Sequence, residues 1–435
     1  MKTLIGNKVA VIGLGYVGLP LLYHLSKKIE VYGYDINLNT INSLKNGIDN
    51  TKEIDDPKFH KNKKIKFTNQ LNDIKNFDIY IIAVPTPVDD HNVPDLSALK
   101  NASSMVGSVI KKNSIVIYES TVYPGCTEEI CIPILETVSK LKINKDFYCG
   151  YSPERINPGD KIHTLLNTTK IISASNLKAL NTIKCLYSKI LGIPIFQASS
   201  IKVAEAAKVI ENVQRDLNIA LINELSILFT KMDIKTSDVL NAASTKWNFI
   251  KFNPGLVGGH CIGVDPYYLT YKADMLKYNP QVILSGRRIN DNMGRYYAKE
   301  SIKLLLKYKI NKKNIKIGIL GFTFKENCPD FRNSRVFDIY DELKNHGFNP
   351  ILYDPYYDKT QTNNSVIKKN YQKAITEDLK KLSNSDLILV AVKHNKFNRM
   401  TSKSINELIH KNSIVYDIKN TWTNKKLNCK KYISI

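Results

Sequence analysis

Cysteine is scarce in this chain, and the few cysteines form no pattern. Seven are scattered over 435 residues, and no two of them stand as a Cys-x-x-Cys pair. An odd, unpaired set argues against a disulfide framework and against a zinc site, so we expect no metal and a reducing, cytoplasmic compartment. The seven are Cys126, Cys131, Cys149, Cys185, Cys261, Cys328 and Cys429.

Long apolar runs are absent as well. No stretch approaches the roughly 20 apolar residues that a membrane-spanning helix needs. Residues 1–8 lead directly into a predicted strand and leave no room for a signal peptide. We therefore expect no membrane partner.

Acidic residues are in short supply. Asp and Glu number 40 against 63 Lys and Arg, which gives a formal net charge of +23. Such an excess is found in nucleic-acid-binding proteins, but the lysines here are dispersed, and clusters such as residues 61–64 and 311–316 are typical of solvated surface. We expect no nucleic-acid partner, although the positive potential could help to attract an anionic substrate.

What the chain does contain is an alternation of apolar strands and helices. Residues 8–13 form a short apolar run that ends in glycine, which is typical of a buried parallel strand, and residues 19–28 have a helical pattern. Further strands are predicted at residues 30–35, 77–84 and 114–119. A weaker copy of the same order follows at residues 315–321, 350–354, 386–392 and 413–417.

A long helix is predicted between the two strand-rich regions, because residues 203–229 repeat apolar side chains at 3–4 spacing with almost no breakers. These patterns predict an α/β fold: two Rossmann-like doubly wound domains joined by a central helical domain with a long connecting helix. We place the three domains at residues 1–200, 201–310 and 311–435. The long helix should present an apolar stripe to a second copy, giving at least a homodimer.

The first predicted strand runs into a glycine-rich turn, Gly13-Leu14-Gly15-Tyr16-Val17-Gly18. Such glycines permit a tight turn, close approach of a pyrophosphate and close packing of the following helix. Asp35 stands twenty residues after Gly15, at the end of the second predicted strand. A carboxylate there accepts hydrogen bonds from ribose hydroxyls and repels a 2′-phosphate, so NAD is favoured over NADP. The second strand set has Gly321-Phe-Thr-Phe-Lys325 instead, and we expect it to bind something other than a dinucleotide.

Two loops follow directly after predicted strands, at residues 84–87 and 119–125. Loops at the carboxyl ends of strands line the cofactor cleft in this fold, and although either alone could be an ordinary turn, the pair fits a wall around the nicotinamide. On the long helix, Lys208, Asn212 and Arg215 share one face. That face is either solvated or, toward a cleft, a donor array for a developing oxyanion.

One cysteine stands in an unusual setting. Cys261 lies in a Gly-Gly-His-Cys sequence between Pro254 and Pro266, four residues before Asp265. A free cysteine is most often a small buried hydrophobe, but cores rarely occupy Gly-Gly loops flanked by His and Asp. We interpret Cys261 as a nucleophile. Beside a cofactor that accepts hydride, such a thiol indicates oxidation past the aldehyde.

Together these motifs resemble the UDP-glucose/GDP-mannose dehydrogenase family of nucleotide-sugar 6-dehydrogenases, over essentially the whole chain. The elements that carry the resemblance are the glycine turn, Val84–Pro87, Glu119–Val122, Ser152–Glu154, Lys208 with Asn212, Gly258–Asp265, and Gly321–Ser334. The family oxidises the sugar C6 alcohol to a carboxylate with two NAD. The resemblance therefore implies an NAD-dependent enzyme whose first domain binds NAD and whose last domain binds a UDP-sugar.

The resemblance also implies catalytic roles. Cys261 would attack the bound aldehyde to give a thiohemiacetal, whose oxidation gives a thioester. Lys208 and Asn212 would stabilise alkoxide and oxyanion charge. Asp265 would serve in proton transfer and hydrolysis, and Glu154 and Thr121 would lie around the catalytic water.

Contacts to cofactor and substrate are implied in the same way. The cofactor contacts are Gly13, Gly15, Tyr16, Val17, Gly18, Asp35, Pro85, Thr86, Thr121 and Arg332. The substrate contacts are Glu154, Arg155, Lys208, Asn212, Phe252, Gly255, Gly258, Lys325 and Lys419.

One departure from the family pattern concerns the substrate. Glucose-specific members typically carry Lys immediately before the acid, where this chain has Val264. Together with Trp247-Asn248-Phe249, this resembles the branch that acts on UDP-N-acetylhexosamines, whose products feed bacterial capsule or O-antigen synthesis. UDP-glucose or GDP-mannose dehydrogenase is the alternative within the family.

Two readings outside the family stay open as remote alternatives. A two-electron hydroxyacid dehydrogenase also joins a Rossmann domain to helices, but it needs neither Cys261 nor a second α/β domain at residues 315–420. A basic nucleic-acid-binding protein would show a concentrated basic face, and a salt-dependent shift assay on mixed DNA would reveal it.

Overall fold

A computed structural model describes residues 7–51, 53–54, 56–89, 91–154, 165–259, 262–310, 312–359, 367 and 369–435. The chain divides into two compact units. Unit 1 comprises Met1–Glu211 and Tyr267–Asn279, and unit 2 comprises Asn212–Pro266 and Pro280–Ile435.

Unit 1 is built on a sheet of eight strands. They are β1 Val9–Ile12, β2 Val31–Tyr34, β3 Ile65–Thr68, β4 Ile79–Ile82, β5 Ile115–Tyr118, β6 Tyr148–Tyr151, β7 Lys170–Ala174 and β8 Ile195–Gln197. Their order across the sheet is β3-β2-β1-β4-β5-β6-β7-β8. All neighbours are parallel except β6 and β7, which are antiparallel.

The central strands of this sheet are apolar along their whole length. Every residue of β1, β4 and β5 is buried, as is required where helices cover both faces of a parallel sheet. The covering helices of unit 1 are α1 Gly18–Ser26, α2 Leu38–Lys45, α3 Ser97–Gly107, α4 Ile132–Ser139 and α5 Leu177–Lys184.

Long helices follow the first sheet. α6, Ile201–Lys231, begins in unit 1 and ends in unit 2, and it extends the predicted helix by two residues at each end. It is followed by α7 Thr236–Ala243, α8 Asp265–Met275 and α9 Gln281–Lys307. Among the described residues, no helix is both long enough and apolar enough to cross a membrane.

Unit 2 contains a second, all-parallel sheet of six strands. They are β9 Ile317–Leu320, β10 Ile351–Tyr353, β11 Ile375–Thr376, β12 Ser385–Val390, β13 Ile409–Asp417 and β14 Lys431–Ser434. The order is β11-β10-β9-β12-β13-β14, which repeats the order of the first six strands of unit 1. The remaining helices are α10 Val336–Asn345, α11 Lys369–Gln372, α12 Asn395–Asn398 and α13 Ser402–Asn406.

The predicted fold class is confirmed: two doubly wound α/β sheets with a set of long helices between them in sequence. The sequence reading missed several edge strands, β3 among them, whose Lys66 is exposed and which therefore lacks the continuous apolar run of a central strand. The division into three domains stays a prediction.

Candidate active site

The glycine turn after β1 is shaped by three different constraints. Gly13 has φ +90°, and a Cβ there would lie 2.8 Å from the Ala83 carbonyl oxygen. A Cβ on Gly18 would lie 1.9 Å from the Gly13 carbonyl oxygen, because α1 begins there, close against the turn. At Gly15 a Cβ would meet nothing within 4 Å. That open space is where a pyrophosphate would approach the backbone, so the turn fits the dinucleotide that its sequence predicts.

Asp35 lies directly beyond β2 and closes the same turn. Its Oδ2 accepts a hydrogen bond from Leu14 N at 3.0 Å, and its Oδ1 accepts one from Asn37 N at 2.8 Å. The carboxylate is only half-buried. It is therefore held in a fixed direction and still accessible to ribose hydroxyls.

The two loops that the sequence singled out are bonded to each other within unit 1. Thr86 Oγ1 donates to the Thr121 carbonyl at 2.8 Å, and Ser120 Oγ donates to the Val84 carbonyl at 2.7 Å. The Tyr268 hydroxyl donates to the Thr86 carbonyl at 2.9 Å. The loops therefore form one wall at the carboxyl ends of β4 and β5. Tyr268 was missed by the sequence reading, although it stands three residues after Asp265.

A buried ion cluster lies next to this wall. Lys170 Nζ is 2.7 Å from Glu119 Oε2 and 2.9 Å from Glu154 Oε2, and the Tyr187 hydroxyl donates to Glu119 Oε1. All four side chains are buried. The sequence reading assigned a role to Glu154 alone. Lys170 could have been found as a charged residue that opens an apolar strand.

Lys208 and Asn212 lie one turn apart on α6, and both are buried. The face of α6 that carries these two residues is therefore not a fully solvated one. Asn212 Nδ2 donates to Asp265 Oδ2 at 2.5 Å. Asp265 is the first residue of α8, where the helix dipole stabilises a negative charge. An amide donor from one helix and a carboxylate at the start of another thus meet in unit 2.

The segment that leads to Cys261 is fixed in unit 2 by an amide clamp. Asn223 on α6 donates from Nδ2 to the Gly255 carbonyl at 3.0 Å and accepts at Oδ1 from Gly255 N at 2.8 Å. A Cβ on Gly255 would lie 2.5 Å from Lys419 Nζ, so the glycine makes room for that ammonium. Lys419, a substrate contact that the family resemblance implies, therefore lies against this segment.

The same segment contacts the loop after β9. A Cβ on Gly258 would lie 2.4 Å from the Asn333 carbonyl oxygen, and one on Gly259 would lie 2.6 Å from the Phe324 ring. Lys325 follows Phe324 in that loop. The predicted substrate contacts Gly255, Gly258, Lys325 and Lys419 thus belong to one region of unit 2, and Phe252, half-buried, precedes it in the chain.

Asp354, the acid that follows β10, is buried, whereas Asp35 is only half-buried. Asp354 Oδ2 accepts from Phe322 N at 2.7 Å and Thr323 N at 3.0 Å, and His394 Nε2 lies 3.1 Å away. Asp354 is 1% exposed. The second sheet therefore has the acid of a dinucleotide site but encloses it within the protein, in agreement with the expectation that this sheet binds another ligand.

Two predicted arginines, Arg332 and Arg215, are described by the structure but belong to none of the groups above. Arg332 pairs with Asp330 of its own chain, with Nε 2.9 Å from Oδ1. Arg215 is half-buried on α6. Arg155 and Cys261 lie outside the described residues. No group of three or more metal-ligating side chains occurs in the part of the chain that the structure describes.

Comparison with known proteins decides the family. The NAD binding domain of the UDP-glucose/GDP-mannose dehydrogenase family matches residues 7–191, its central domain residues 202–292, and its UDP binding domain residues 318–424. The chain belongs to the UDP-glucose/GDP-mannose dehydrogenase family. It is an NAD-dependent oxidoreductase, and the cofactor predicted from Asp35 is confirmed.

Similar members of the family match this dehydrogenase over nearly its full length. Protein CapL of Staphylococcus aureus is 50% identical over 422 residues, which are 97% of this chain and 98% of that protein. The UDP-N-acetyl-D-glucosamine 6-dehydrogenase of Salmonella typhi is 49% identical over 412 residues, 95% of this chain and 96% of that protein. The structure of UDP-D-ManNAc dehydrogenase from Pyrococcus horikoshii superposes with a TM-score of 0.85 at 30% identity, covering 98% of this dehydrogenase and 99% of that chain.

Proposed function

We propose that this dehydrogenase oxidises the C6 hydroxyl of a UDP-N-acetylhexosamine to the uronate, a four-electron oxidation that consumes two NAD. Two relatives at 49% identity are named UDP-N-acetyl-D-glucosamine 6-dehydrogenase, which favours the glucosamine epimer. Val264, in the place of the lysine typical of glucose-specific members, supports the same branch. The product would be a precursor of bacterial capsule or O-antigen polysaccharide.

The contrast between Asp35 and Asp354 carries the proposal on the structural side. Asp35 is half-buried beside the open space at Gly15, whereas Asp354 is fully buried behind His394. The described residues of each chain therefore offer one dinucleotide site, which two successive NAD molecules would use for each sugar. Retention of the half-oxidised sugar on the enzyme would keep the aldehyde from escaping while the cofactor is exchanged.

A covalent bond to Cys261 would provide that retention. When bound, NAD accepts the hydride that leaves C6. The Cys261 thiolate adds to the aldehyde as a thiohemiacetal, and after the second oxidation its sulfur carries a thioester that water cleaves. Lys208 and Asn212 donate to the developing oxyanion. Asp265, which accepts a hydrogen bond from Asn212, would take part in proton transfer. The family resemblance assigns Glu154 and Thr121 to the catalytic water.

The remaining predicted contacts are divided between the cofactor and the UDP-sugar. The glycine turn with Tyr16 and Val17, the Pro85-Thr86 loop and Arg332 serve the cofactor. Arg155, Phe252, Gly255, Gly258, Lys325 and Lys419 serve the UDP-sugar. We also propose that the working enzyme is at least a homodimer and that it acts in the cytoplasm.

NADH formation against a panel of UDP- and GDP-sugars tests the proposal. We expect the highest kcat/KM with UDP-N-acetyl-D-glucosamine or an epimer of it, and two NADH for each sugar consumed. A higher kcat/KM with UDP-glucose would remove the branch assignment. Cys261→Ala should bind NAD normally and lose turnover, and near-normal two-NADH turnover by that variant would exclude the covalent route.

A further inference from the structure

His394 is a fully buried imidazole in unit 2, and both of its ring nitrogens are hydrogen-bonded. It lies four residues after the end of β12. Nδ1 is 3.0 Å from Asn327 N, and because a backbone N–H can only donate, Nδ1 is an acceptor. The ring hydrogen is therefore on Nε2, which lies 3.1 Å from both Asp354 Oδ2 and Thr323 Oγ1. These partners select one neutral tautomer of the ring.

The loop after β9, residues 321–327, is held on both sides of Lys325. On one side, Thr323 Oγ1 donates to the Lys325 carbonyl at 2.8 Å. On the other side, Asn327 N donates to His394, and Asn327 Oδ1 accepts from Asn395 N at 2.8 Å. The backbone of Lys325 is therefore fixed by bonds in which His394 and its neighbour take part.

This loop lies where a doubly wound sheet binds its ligand. In the order β11-β10-β9-β12-β13-β14, the chain proceeds in opposite directions from the junction of β9 and β12. Ligands of such sheets bind in the crevice at that junction, outside the carboxyl ends of the strands. Residues 321–327 follow β9, and His394 follows β12. The bond between Asn327 and His394 thus joins the two loops that border the crevice.

We propose that His394 is a positioning residue for the diphosphate of the UDP-sugar and that it acts through Lys325. The inference rests on the proposed function in one respect, namely that the second sheet binds UDP through Lys325. That side chain is half-buried, with Nζ 5.7 Å from the centre of the Phe324 ring. A lysine has a flexible stem, so its affinity for a phosphate depends on how well its backbone is fixed before the ligand arrives.

Two variants separate the two bonds of the ring. In His394→Gln the amide nitrogen can replace Nε2, but the side chain offers no acceptor at the position of Nδ1. In His394→Asn the amide oxygen can replace Nδ1. We expect His394→Gln to bind UDP at least about 10-fold more weakly, since a hydrogen bond to a charged group contributes about that much. His394→Asn should remain within about 3-fold of the wild type, because it keeps the acceptor for Asn327 N.

A double-variant cycle tests whether His394 acts through Lys325. Lys325→Met removes the ammonium and should itself weaken UDP binding about 10-fold or more. If the ring positions Lys325, adding His394→Gln to Lys325→Met should change the Kd for UDP by less than about 2-fold. A merely structural role would lower the affinity by the same factor in both backgrounds. His346→Gln is the matched control, since His346 is exposed beyond the end of α10, and it should bind UDP like the wild type.

Calorimetric titrations with UDP and, separately, with NAD provide the measurement. The Kd for NAD should be the same in every variant, because the dinucleotide site lies in unit 1. In His394→Gln, wild-type affinity for UDP would overturn the inference, and so would an equal loss of UDP and NAD affinity. Additive effects in the cycle, or a Lys325→Met that binds UDP normally, would also overturn it.

Thr323→Val decides the question if His394→Gln does not fold. This variant removes the hydroxyl that holds the Lys325 carbonyl, and it should likewise weaken UDP binding. Wild-type UDP affinity in Thr323→Val would then contradict the inference. The proposed function fails separately: a wild type that binds UDP but oxidises no UDP-N-acetylhexosamine would refute that function, while the UDP titrations would still decide the role of His394.

Discussion

At the scale of single residues, the three glycines of the first turn are required for different reasons. Gly18 is required by packing, because any side chain would collide with the backbone of Gly13. Gly15 faces open space, and its φ lies outside the left-handed region. We therefore predict that the glycine at position 15 is needed for a ligand and not for the fold.

Replacement by alanine should therefore affect NAD binding at position 15 and the stability of the fold at position 18. Gly15→Ala should keep the free energy of unfolding within about 1 kcal/mol of the wild type, since the methyl group meets no protein atom. Its KM for NAD should rise at least about 10-fold, because the methyl group occupies the path of the pyrophosphate. Gly18→Ala should lose about 1–3 kcal/mol of stability through overpacking.

Urea unfolding and NADH kinetics on both variants provide the measurement, and each variant is the control for the other. A Gly15→Ala enzyme with wild-type affinity for NAD would show that the open space is not the pyrophosphate site.

At the scale of elements, Glu205 ties α6 to the loop after β5. Its carboxylate is completely buried and accepts hydrogen bonds from Gly125 N at 2.5 Å and Thr127 N at 2.9 Å. These donors begin the helical turn Thr127–Cys131. Glu205 stands one turn before Lys208, so it connects the helix of the proposed oxyanion donors with the loop of Thr121.

The burial of Glu205 makes stability depend on pH. Burial raises its pKa to about 7, against the bonds from Thr127 and Gly125, which favour the ionised form. The folded state therefore binds a proton more tightly than the unfolded state does. The contribution of Glu205 to stability is complete below about pH 4.5, and it is lost as the pH rises through about 7.

Glu205→Gln should remove this dependence. Between pH 5 and pH 8 the wild type is expected to lose roughly 2–3 kcal/mol more unfolding free energy than the variant does. Urea titrations of both proteins at the two pH values measure the difference, with Glu224→Gln on the exposed side of the same helix as control. Parallel pH profiles for wild type and Glu205→Gln would contradict the argument.

The helices α1 and α6 and the central strands could be predicted because the positions of their apolar residues follow a regular spacing in the sequence. β1, β4 and β5 are continuous apolar runs, and α6 has apolar residues at helical spacing. Lys170 and Glu205 could not be predicted, since a charged residue in a sequence does not show which distant carboxylate or backbone amide it will meet. Their partners lie 51 and 80 residues away.

At the scale of the whole molecule, the two sheets share one strand order but differ in how far the acid after the second strand is exposed. Both sheets place an acid after the second strand, and in both it bonds the backbone of the first loop. The sequence predicted the correspondence of the strands, and the absence of the glycine turn predicted a different ligand for the second sheet. It could not show how Asp354 is enclosed, because His394 is forty residues away in the chain.

We predict that an apolar stripe along α6 mediates assembly of the enzyme. Val203, Ile210, Leu221 and Leu228 are 46%, 54%, 53% and 48% exposed. Their spacings of 7, 11 and 7 residues correspond to two, three and two turns, so all four lie within an arc of about 20° on one side of the helix. Exposed apolar side chains aligned over this length of one helix, with the polar Gln214 among them, support the prediction that a second copy covers this surface.

Placing charges on this stripe should therefore separate the copies. Ile210→Glu combined with Leu221→Glu is expected to shift the mass measured by light scattering from a dimer or larger assembly to a monomer, because a buried carboxylate in a symmetric interface meets a second one. Leu177→Glu is the control, since Leu177 is 77% exposed at the start of α5 in unit 1, away from the stripe. That variant should keep the wild-type mass. A wild type that is monomeric at assay concentration, or a double variant that keeps its assembly, would show that the stripe serves another purpose.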